Sequence, residues 1–166
     1  MALNVAIYLE LFNIDYPSLH SVCLSANYII ANKEWLRLLL SQIFHADDFH
    51  LYYNMVSFSI KGRTLERRFG PVYFLCLLFI FTISCSLTLV GLETIAANFL
   101  GNSLLLDRCA VGFSGVIFAL KVLTTHYLPS GTNYLFGTIP ITSKYIYWVE
   151  LIIISLVTPN ASFAGM

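Results

Sequence analysis

The sequence predicts an all-α fold, a polytopic membrane helical bundle that residues 1–166 form as a single membrane domain. Hydrophobic residues make up 58% of the chain, aromatic residues 15% and charged residues only 11%, and the mean hydropathy is +0.76. These values lie well outside those of soluble domains. No charged residue occurs from Phe69 to Leu92, and the central stretch Val72–Gly91 has the length of about twenty residues that crosses a bilayer.

The amino-terminal stretch Met1–Phe12 is apolar but too short to cross a bilayer by itself. Twelve helical residues rise about 18 Å, whereas the hydrocarbon core is about 30 Å thick. The stretch contains no Lys or Arg and includes Glu10, which distinguishes it from a secretory signal. We therefore expect the remnant of a helix, in a chain that is incomplete at its amino end.

The segment Phe44–Ile60 is predicted to be a helix with polar residues in its first half. Polar side chains at membrane depth are costly, so we expect them to face a protein interior or a water-filled cavity. The following stretch Lys61–Gly70 is predicted to be a short loop, and it holds four basic residues against one acidic residue. The positive-inside rule places this loop in the cytoplasm and the amino end of the preceding helix on the lumenal side.

Two more helices are expected after the charge-free run. Ala110–Leu128 is apolar except for Lys121 and His126 near its far end, where a lysine stem can extend to the lipid headgroups. Its amino end is lumenal by the same topology. Tyr145–Val157 is shorter, and a connecting loop rich in proline and glycine separates it from the helix before it.

Charge and cysteine content argue against several classes of function. Nine basic and nine acidic residues leave no basic surface for nucleic acid, so nucleic acid is not an expected partner. None of the four cysteines forms a CxxC pair, which argues against a cysteine metal site. Cys23 and Cys109 could pair if both faced an oxidising compartment, but the sequence shows no proximity between them, and we expect unpaired thiols.

His45, His50 and Asn54 form an H-x4-H-x3-N pattern in the segment HADDFHLYYN. On a helix with about 100° per residue, His50 and Asn54 share a face, whereas His45 points about 140° away from His50. This spacing fails the i, i+4 test of a helical zinc site, and we expect no metal and no other cofactor. Taken alone, the pattern is equally compatible with polar groups that merely satisfy a helix start.

Gly112, Phe113, Ser114 and Gly115 form a G-x-S-G motif at the lumenal end of the Ala110–Leu128 helix. The glycines remove side chains on either side of the serine, which allows a close approach to its Oγ. Small residues at this spacing are also ordinary helix packing in membranes, so the motif alone does not identify a nucleophile. It differs from the nucleophile elbow of soluble hydrolases, because no strand precedes it.

Together, the two motifs at the lumenal ends of their helices resemble the rhomboid intramembrane serine proteases, and the similarity extends over residues 35–165. It rests on the stretches RLLLSQIFHADDFHLYYN, KGRTLERRFG, CAVGFSGVIFALKV, WVEL and NASFAG, which look most like the animal endoplasmic-reticulum group of that family. The resemblance implies the rhomboid fold in incomplete form, with about four to five of six core transmembrane helices present.

The resemblance also implies a role for each residue of the two motifs. Ser114 matches the nucleophile, His50 and Asn54 match the oxyanion-hole side chains, and the supporting positions are His45, Gly112 and Gly115. The base in rhomboids is a histidine directly after a small-residue pair like Ala164–Gly165, but position 166 is Met. Lys121 lies about 10.5 Å further along the helix axis than Ser114, too far to replace that histidine. We therefore expect a chain truncated at its carboxyl end, and inactive or nearly so as written.

The implied activity is cleavage of transmembrane protein substrates within the lipid bilayer, through an acyl-enzyme. The resemblance further implies a multi-pass protein of the endoplasmic reticulum membrane, linked to its degradation machinery. The alternative is a non-catalytic pseudoprotease that binds membrane clients in protein quality control. The presence of Ser114, His50 and Asn54 favours the enzyme, because pseudoproteases of this superfamily generally lose or block the serine.

Overall fold

The computed structural model describes residues 1–127, 132–135, 139–142 and 149. Within these ranges the regular secondary structure is helical apart from one pair of short strands, which confirms the predicted all-α class. The elements are α1 (Ala2–Tyr8), α2 (Leu19–Val22), α3 (Ala26–Ile30), α4 (Arg37–Leu40), α5 (Asp48–Phe69), α6 (Pro71–Leu100), a 3₁₀ helix (Ser103–Asp107), α7 (Ser114–Tyr127), β1 (Thr132–Leu135) and β2 (Ile139–Thr142).

Three long helices, α5, α6 and α7, pack against one another and form the bundle. Within the described residues, α6 is the one helix that is long and apolar enough to cross a membrane, with a mean hydropathy of 2.4. Only 17% of its most apolar window is buried inside the protein, so most of that surface is left for lipid. The helix predicted at Val72–Gly91 is confirmed, and it runs from Pro71 to Leu100. The helix predicted at Tyr145–Val157 lies outside the described residues apart from Val149.

The basic segment that follows the predicted helix Phe44–Ile60 is itself helical as far as Phe69, so the prediction of a loop at Lys61–Gly70 is wrong. Helix α5 continues to Phe69, with Arg67 and Arg68 in its last turn, where cations are stabilised by the helix dipole. The chain reverses at Gly70, whose φ of +84° suits glycine, and Pro71 then opens α6. The residues around Arg67 have high helix propensity, so the helix continues until Gly70 and Pro71 end it.

Helix α7 begins at Ser114 and not at Ala110, because the preceding residues pair with the amino-terminal part of the chain. Ala110 and Leu24 exchange both backbone hydrogen bonds, at 2.8 and 2.9 Å. This extended pairing is incompatible with a helix over the same residues. Ser114 therefore lies in the first turn of α7, where backbone N–H groups have no partner within the helix.

A disulfide joins Cys23 to Cys109, with the two Cα atoms 5.3 Å apart. The expectation of unpaired thiols at these positions is therefore wrong. The two residues are 86 positions apart in sequence, and the pairing of Leu24 with Ala110 next to them helps to bring them together. Cys76 and Cys85 on α6 are free, in line with their place in an apolar run.

Two apolar clusters fix the bundle at different levels. The first packs the amino-terminal segments onto α6 and contains Leu24, Ala26, Ile29, Leu38, Leu89 and Val90. The second lies among the three long helices and contains Leu65, Phe74, Val116 and Leu120. Between helices in lipid, such side chains stabilise the bundle through van der Waals packing, because lipid tails are as apolar as leucine. The second cluster holds α5 and α7 side by side.

Strands β1 and β2 form an antiparallel pair within the predicted connecting loop after α7. Tyr134 pairs with Pro140 in the register, and a proline is tolerated there because a strand of a two-stranded sheet has an open edge. This pair is a local departure from a purely helical chain.

Candidate active site

The amino end of α5 places His50 and Asn54 one helical turn apart. Asp47 caps the helix by accepting a hydrogen bond from the backbone N–H of His50 at 2.7 Å. The Tyr8 hydroxyl of α1 donates a hydrogen bond to Asp48 at 2.6 Å, so α1 contacts the same end of α5. His50 and Asn54 therefore stand on one face of a capped helix, as their spacing predicted.

His45 lies before the helix, and its ring packs against the ring of His50. The two ring centroids are 5.3 Å apart with an angle of 67° between the planes. The prediction that His45 and His50 diverge is wrong, because residues 45–47 are not helical and the 100° rule does not apply to them. His45 is 3% exposed, and its Nδ1 lies 3.2 Å from the carbonyl oxygen of Ile43.

Gly112 provides the surface against which His50 rests. A Cβ atom at this position would lie 2.6 Å from His50 Nε2 and closer still to Cε1, so no side chain fits. The backbone φ of +115° also excludes ordinary L residues. The Gly112 N–H donates to the carbonyl oxygen of Ser41 at 2.7 Å, which fixes the segment just before Ser114. The G-x-S-G motif and the histidine motif thus meet, as predicted.

Asn54 is fully buried, and neither its Oδ1 nor its Nδ2 has a hydrogen-bond partner among the described residues. The Nε2 atoms of His45 and His50 are likewise buried and unpaired there. Buried polar groups without partners are uncommon and ask for an explanation. The Asn54 Nδ2 and the His50 Nε2 are therefore potential donors near the start of α5, available to an oxygen atom of a bound molecule.

Ser114 and Gly115 occupy the first turn of α7, both half-buried. The Ser114 hydroxyl forms no hydrogen bond in the described part of the chain. No acid or base is thus hydrogen-bonded to it there. The assigned roles of nucleophile, oxyanion hole and supporting glycine stay predictions.

Burial makes His45 a neutral residue at ordinary pH. Desolvation, followed by the nearby His50, lowers the pKa of His45 from 6.5 to about 4. His45 and His50 are close enough to suggest a metal, but within the described ranges no third His, Cys, Asp or Glu joins them. The expectation of no metal stays a prediction.

Lys121 points into the protein and not to the headgroups, so the predicted extension towards lipid is wrong. It is 4% exposed, and its Nζ donates to the hydroxyl of Tyr53 at 2.9 Å. The ammonium also lies 5.0 and 5.1 Å from the ring centroids of Tyr53 and Phe118. Aromatic faces and a hydroxyl stabilise a buried cation, which explains why the side chain stays inside. His126, by contrast, is exposed near the far end of α7.

Several residues that frame the site were missed by the sequence argument. Ser86 of α6 donates to the carbonyl oxygen of Leu38 at 2.9 Å and accepts from Gln42 at 3.1 Å. This contact and the Ser41 carbonyl hold the segment that precedes His45. In the sequence, these residues stand out only as polar residues among apolar ones, and this pattern does not specify which residues they contact.

Comparison with known proteins identifies the family. The Rhomboid domain profile matches residues 32–166. The chain is 43% identical over 165 residues to Rhomboid-related protein 4 of Homo sapiens, covering 99% of this chain and 51% of that protein. It is 41% identical to the Mus musculus protein of the same name, with 99% and 51% covered. It is also 35% identical to Rhomboid-like protein 14, mitochondrial, of Arabidopsis thaliana, with 99% and 50% covered.

The chain spans about half the length of the curated relatives it matches. No solved structure matches it significantly. The family match covers α4 to α7, and so includes both motifs and the contact between His50 and Gly112. The predicted resemblance is confirmed, and the chain belongs to the rhomboid family of membrane proteins.

Proposed function

We propose that this chain forms the nucleophile-bearing part of an intramembrane serine endopeptidase. The observation that supports it most strongly is the contact between His50 and Gly112, two residues before Ser114. This contact brings a half-buried serine, a histidine and the unpaired amide of Asn54 to one end of an apolar bundle. Helix packing by small residues alone would explain the glycines but not these buried polar groups.

In the proposed reaction, Ser114 Oγ attacks the carbonyl carbon of a substrate peptide bond and loses its proton to a base. The carbonyl oxygen becomes an oxyanion, which accepts hydrogen bonds from the Asn54 amide, the protonated Nε2 of His50 and the backbone N–H of Ser114. Removal of one such donor typically slows catalysis by about 10²–10³-fold. The amine then leaves with the proton from the base, and water hydrolyses the acyl-enzyme to restore Ser114.

The base is proposed to be a histidine supplied by the full-length protein, because the position after Ala164–Gly165, where the rhomboid resemblance expects this histidine, is Met166. Within the described residues, the rings of His45 and His50 pack against each other, and Lys121 donates a hydrogen bond to Tyr53. None of the three forms a hydrogen bond with Ser114 there. The proposed activity therefore belongs to the full-length protein, acting without a cofactor.

The proposed substrates are membrane proteins whose transmembrane helices unwind near the lumenal face. The proposed location is the endoplasmic reticulum membrane, with a link to its degradation machinery. The Cys23–Cys109 disulfide supports an oxidising compartment on the side of the site. One relative is named as mitochondrial, so imaging of the tagged full-length protein against markers of both organelles is the measurement that decides between them.

The function is tested with the full-length protein, expressed from a transcript sequenced across codon 166 and reconstituted in liposomes with a single-span substrate. We expect Ser114→Ala to abolish cleavage, with a loss of at least about 10³-fold. Ser57→Ala is the matched control, because Ser57 is also a half-buried serine on a long helix and should tolerate the change. Equal cleavage by the Ser114→Ala variant would refute the proposal. Substrate binding without cleavage by the wild type would favour the pseudoprotease.

A further inference from the structure

The Cys23–Cys109 disulfide joins two segments that lie over the site end of the bundle, meaning the ends of α5 and α7 that hold His50 and Ser114. Cys109 lies between the 3₁₀ helix and α7, five residues before Ser114. The Cys23 side chain is 0% exposed, whereas Cys109 is exposed. A thiolate from solution can therefore reach the sulfur of Cys109 but not that of Cys23.

The Cys23 side of the disulfide is held independently of the sulfur–sulfur bond. The Arg37 guanidinium donates to the carbonyl oxygens of His20 and Cys23, each at 2.9 Å. Arg37 is 7% exposed, lies over the ring of Tyr28 at 4.1 Å and forms an ion pair with Glu34 at 2.6 Å. Charge-assisted hydrogen bonds to a buried arginine are strong, so this side is expected to keep its position when the disulfide opens.

The Cys109 side leads directly to the site, and its contacts lie on both sides of the cysteine. Before it, Ser25 Oγ donates to the carbonyl oxygen of Leu106 and Asn27 Nδ2 donates to Asp107, both at 2.7 Å, so these contacts hold the chain only as far as residue 107. After it, the backbone pair of Ala110 with Leu24 and the packing of Ala110 against the first apolar cluster join segment 109–112 to the amino-terminal segment. Two residues further on, Gly112 donates to the Ser41 carbonyl and supports the ring of His50. Movement of this side would therefore change the position of His50 relative to Ser114.

We propose that Cys23–Cys109 is a redox-modification site, at which reduction by a dithiol loosens segment 109–112 from the amino-terminal segment and from His50. One thiolate of the dithiol attacks Cys109 Sγ, forms a mixed disulfide and releases Cys23 Sγ, which takes up a proton. The second thiol of the reductant then attacks its own sulfur in the mixed disulfide and frees Cys109, which is also protonated. The cysteines gain two electrons and two protons, and the dithiol becomes a disulfide. The consequence for Ser114 rests on the proposed function.

The test compares full-length protein in lipid nanodiscs before and after reduction with dithiothreitol. Hydrogen exchange of the Ala110 and Gly112 amides is followed by mass spectrometry, together with alkylation of Cys23 and Cys109. We expect alkylation only after reduction, and exchange at least about tenfold faster in the reduced protein. A Cys76→Ser/Cys85→Ser variant is the matched control, because those thiols are free and its response to reduction should equal that of the wild type.

A Cys23→Ser/Cys109→Ser variant should exchange like the reduced wild type without any reductant. Reduction of the folded wild type gives the same comparison if this variant does not fold. Alkylation of both cysteines before reduction, or unchanged exchange of the Ala110 amide after it, overturns the proposal.

Labelling of Ser114 by a fluorophosphonate is measured on the same samples. Slower labelling after reduction supports coupling of the disulfide to the site, and equal labelling refutes that coupling. A Ser114 that is unreactive in both redox states contradicts the proposed function alone, because amide exchange does not require a nucleophile.

Discussion

Replacement of Gly112 by alanine tests the contact between the two motifs directly. The new Cβ would lie 2.6 Å from His50 Nε2, so the imidazole must move. Overpacking of this kind costs about 1–3 kcal/mol, and an L residue at a φ of +115° adds about 1–3 kcal/mol of backbone strain. The expected loss of stability is therefore about 2–6 kcal/mol. For a domain of this size it corresponds to a fall in Tm of roughly 5–20 °C.

Thermal unfolding in detergent measures this loss, with Gly91→Ala as the control. Gly91 lies within α6, and nothing lies within 4 Å of the position its Cβ would take. A helical glycine replaced by alanine should gain about 0.5–1 kcal/mol, so the Tm of this control should stay or rise. In a His50→Ala background, Gly112→Ala should cost about 1–3 kcal/mol less, because only the strain remains. A Gly112→Ala protein as stable as the wild type would refute the arrangement of His50 over Gly112.

Three further perturbations address the buried polar groups. Tyr53→Phe removes the hydroxyl that Lys121 donates to and should destabilise the protein by about 1–3 kcal/mol, whereas an unchanged Tm would contradict this contact. The pKa of His45 lies near 4 in the folded protein and near 6.5 in the unfolded chain, so the unfolded chain takes up the proton first as the pH falls. The free energy of unfolding should therefore fall by up to about 3 kcal/mol between pH 6.5 and pH 4. A His45→Gln variant should show a flatter pH dependence of Tm, and an identical profile would exclude His45 as its source. Ser86→Ala should lower the free energy of unfolding, measured with a chemical denaturant, by about 1–3 kcal/mol. The control is Ser84→Ala, which should cost less than about 0.5 kcal/mol because Ser84 is exposed. Similar values for both variants would argue against the contact of Ser86 with the segment before His45.

The parts of the fold that followed from the sequence are those set by local periodicity. The charge-free run at Val72–Gly91 specifies a spanning helix because length and apolarity suffice for that inference. His50 and Asn54 share a face because four residues make about one helical turn. The contact of His50 with Gly112 agrees with the predicted topology, which places the amino ends of both helices on the same side of the membrane.

The predictions that were wrong concern residues whose structure depends on contacts between distant segments or on a signal that starts or stops a helix. Asp47 is a good helix cap, and its recognition would have separated His45 from the helix and allowed its contact with His50. The pairing of Cys23 with Cys109 depends on a backbone contact across 86 positions, for which no local pattern exists. The inward position of Lys121 depends likewise on aromatic rings supplied partly by another helix.

The spacing of two features along α7 bears on how deep the Ser114 hydroxyl would lie in a membrane. The ring centroids of Phe69 and Tyr127 lie 5.4 Å apart, near the carboxyl end of α5 and of the described part of α7. From Tyr127 to Ser114 the helix rises about 20 Å, whereas the hydrocarbon layer measures about 30 Å. In the proposed orientation, with Tyr127 at the cytoplasmic edge of that layer, Ser114 would lie about 10 Å beneath the opposite headgroups. The proposed hydrolysis would then require water at that depth, and the unpaired nitrogens of His45, His50 and Asn54 are polar groups that could bind it.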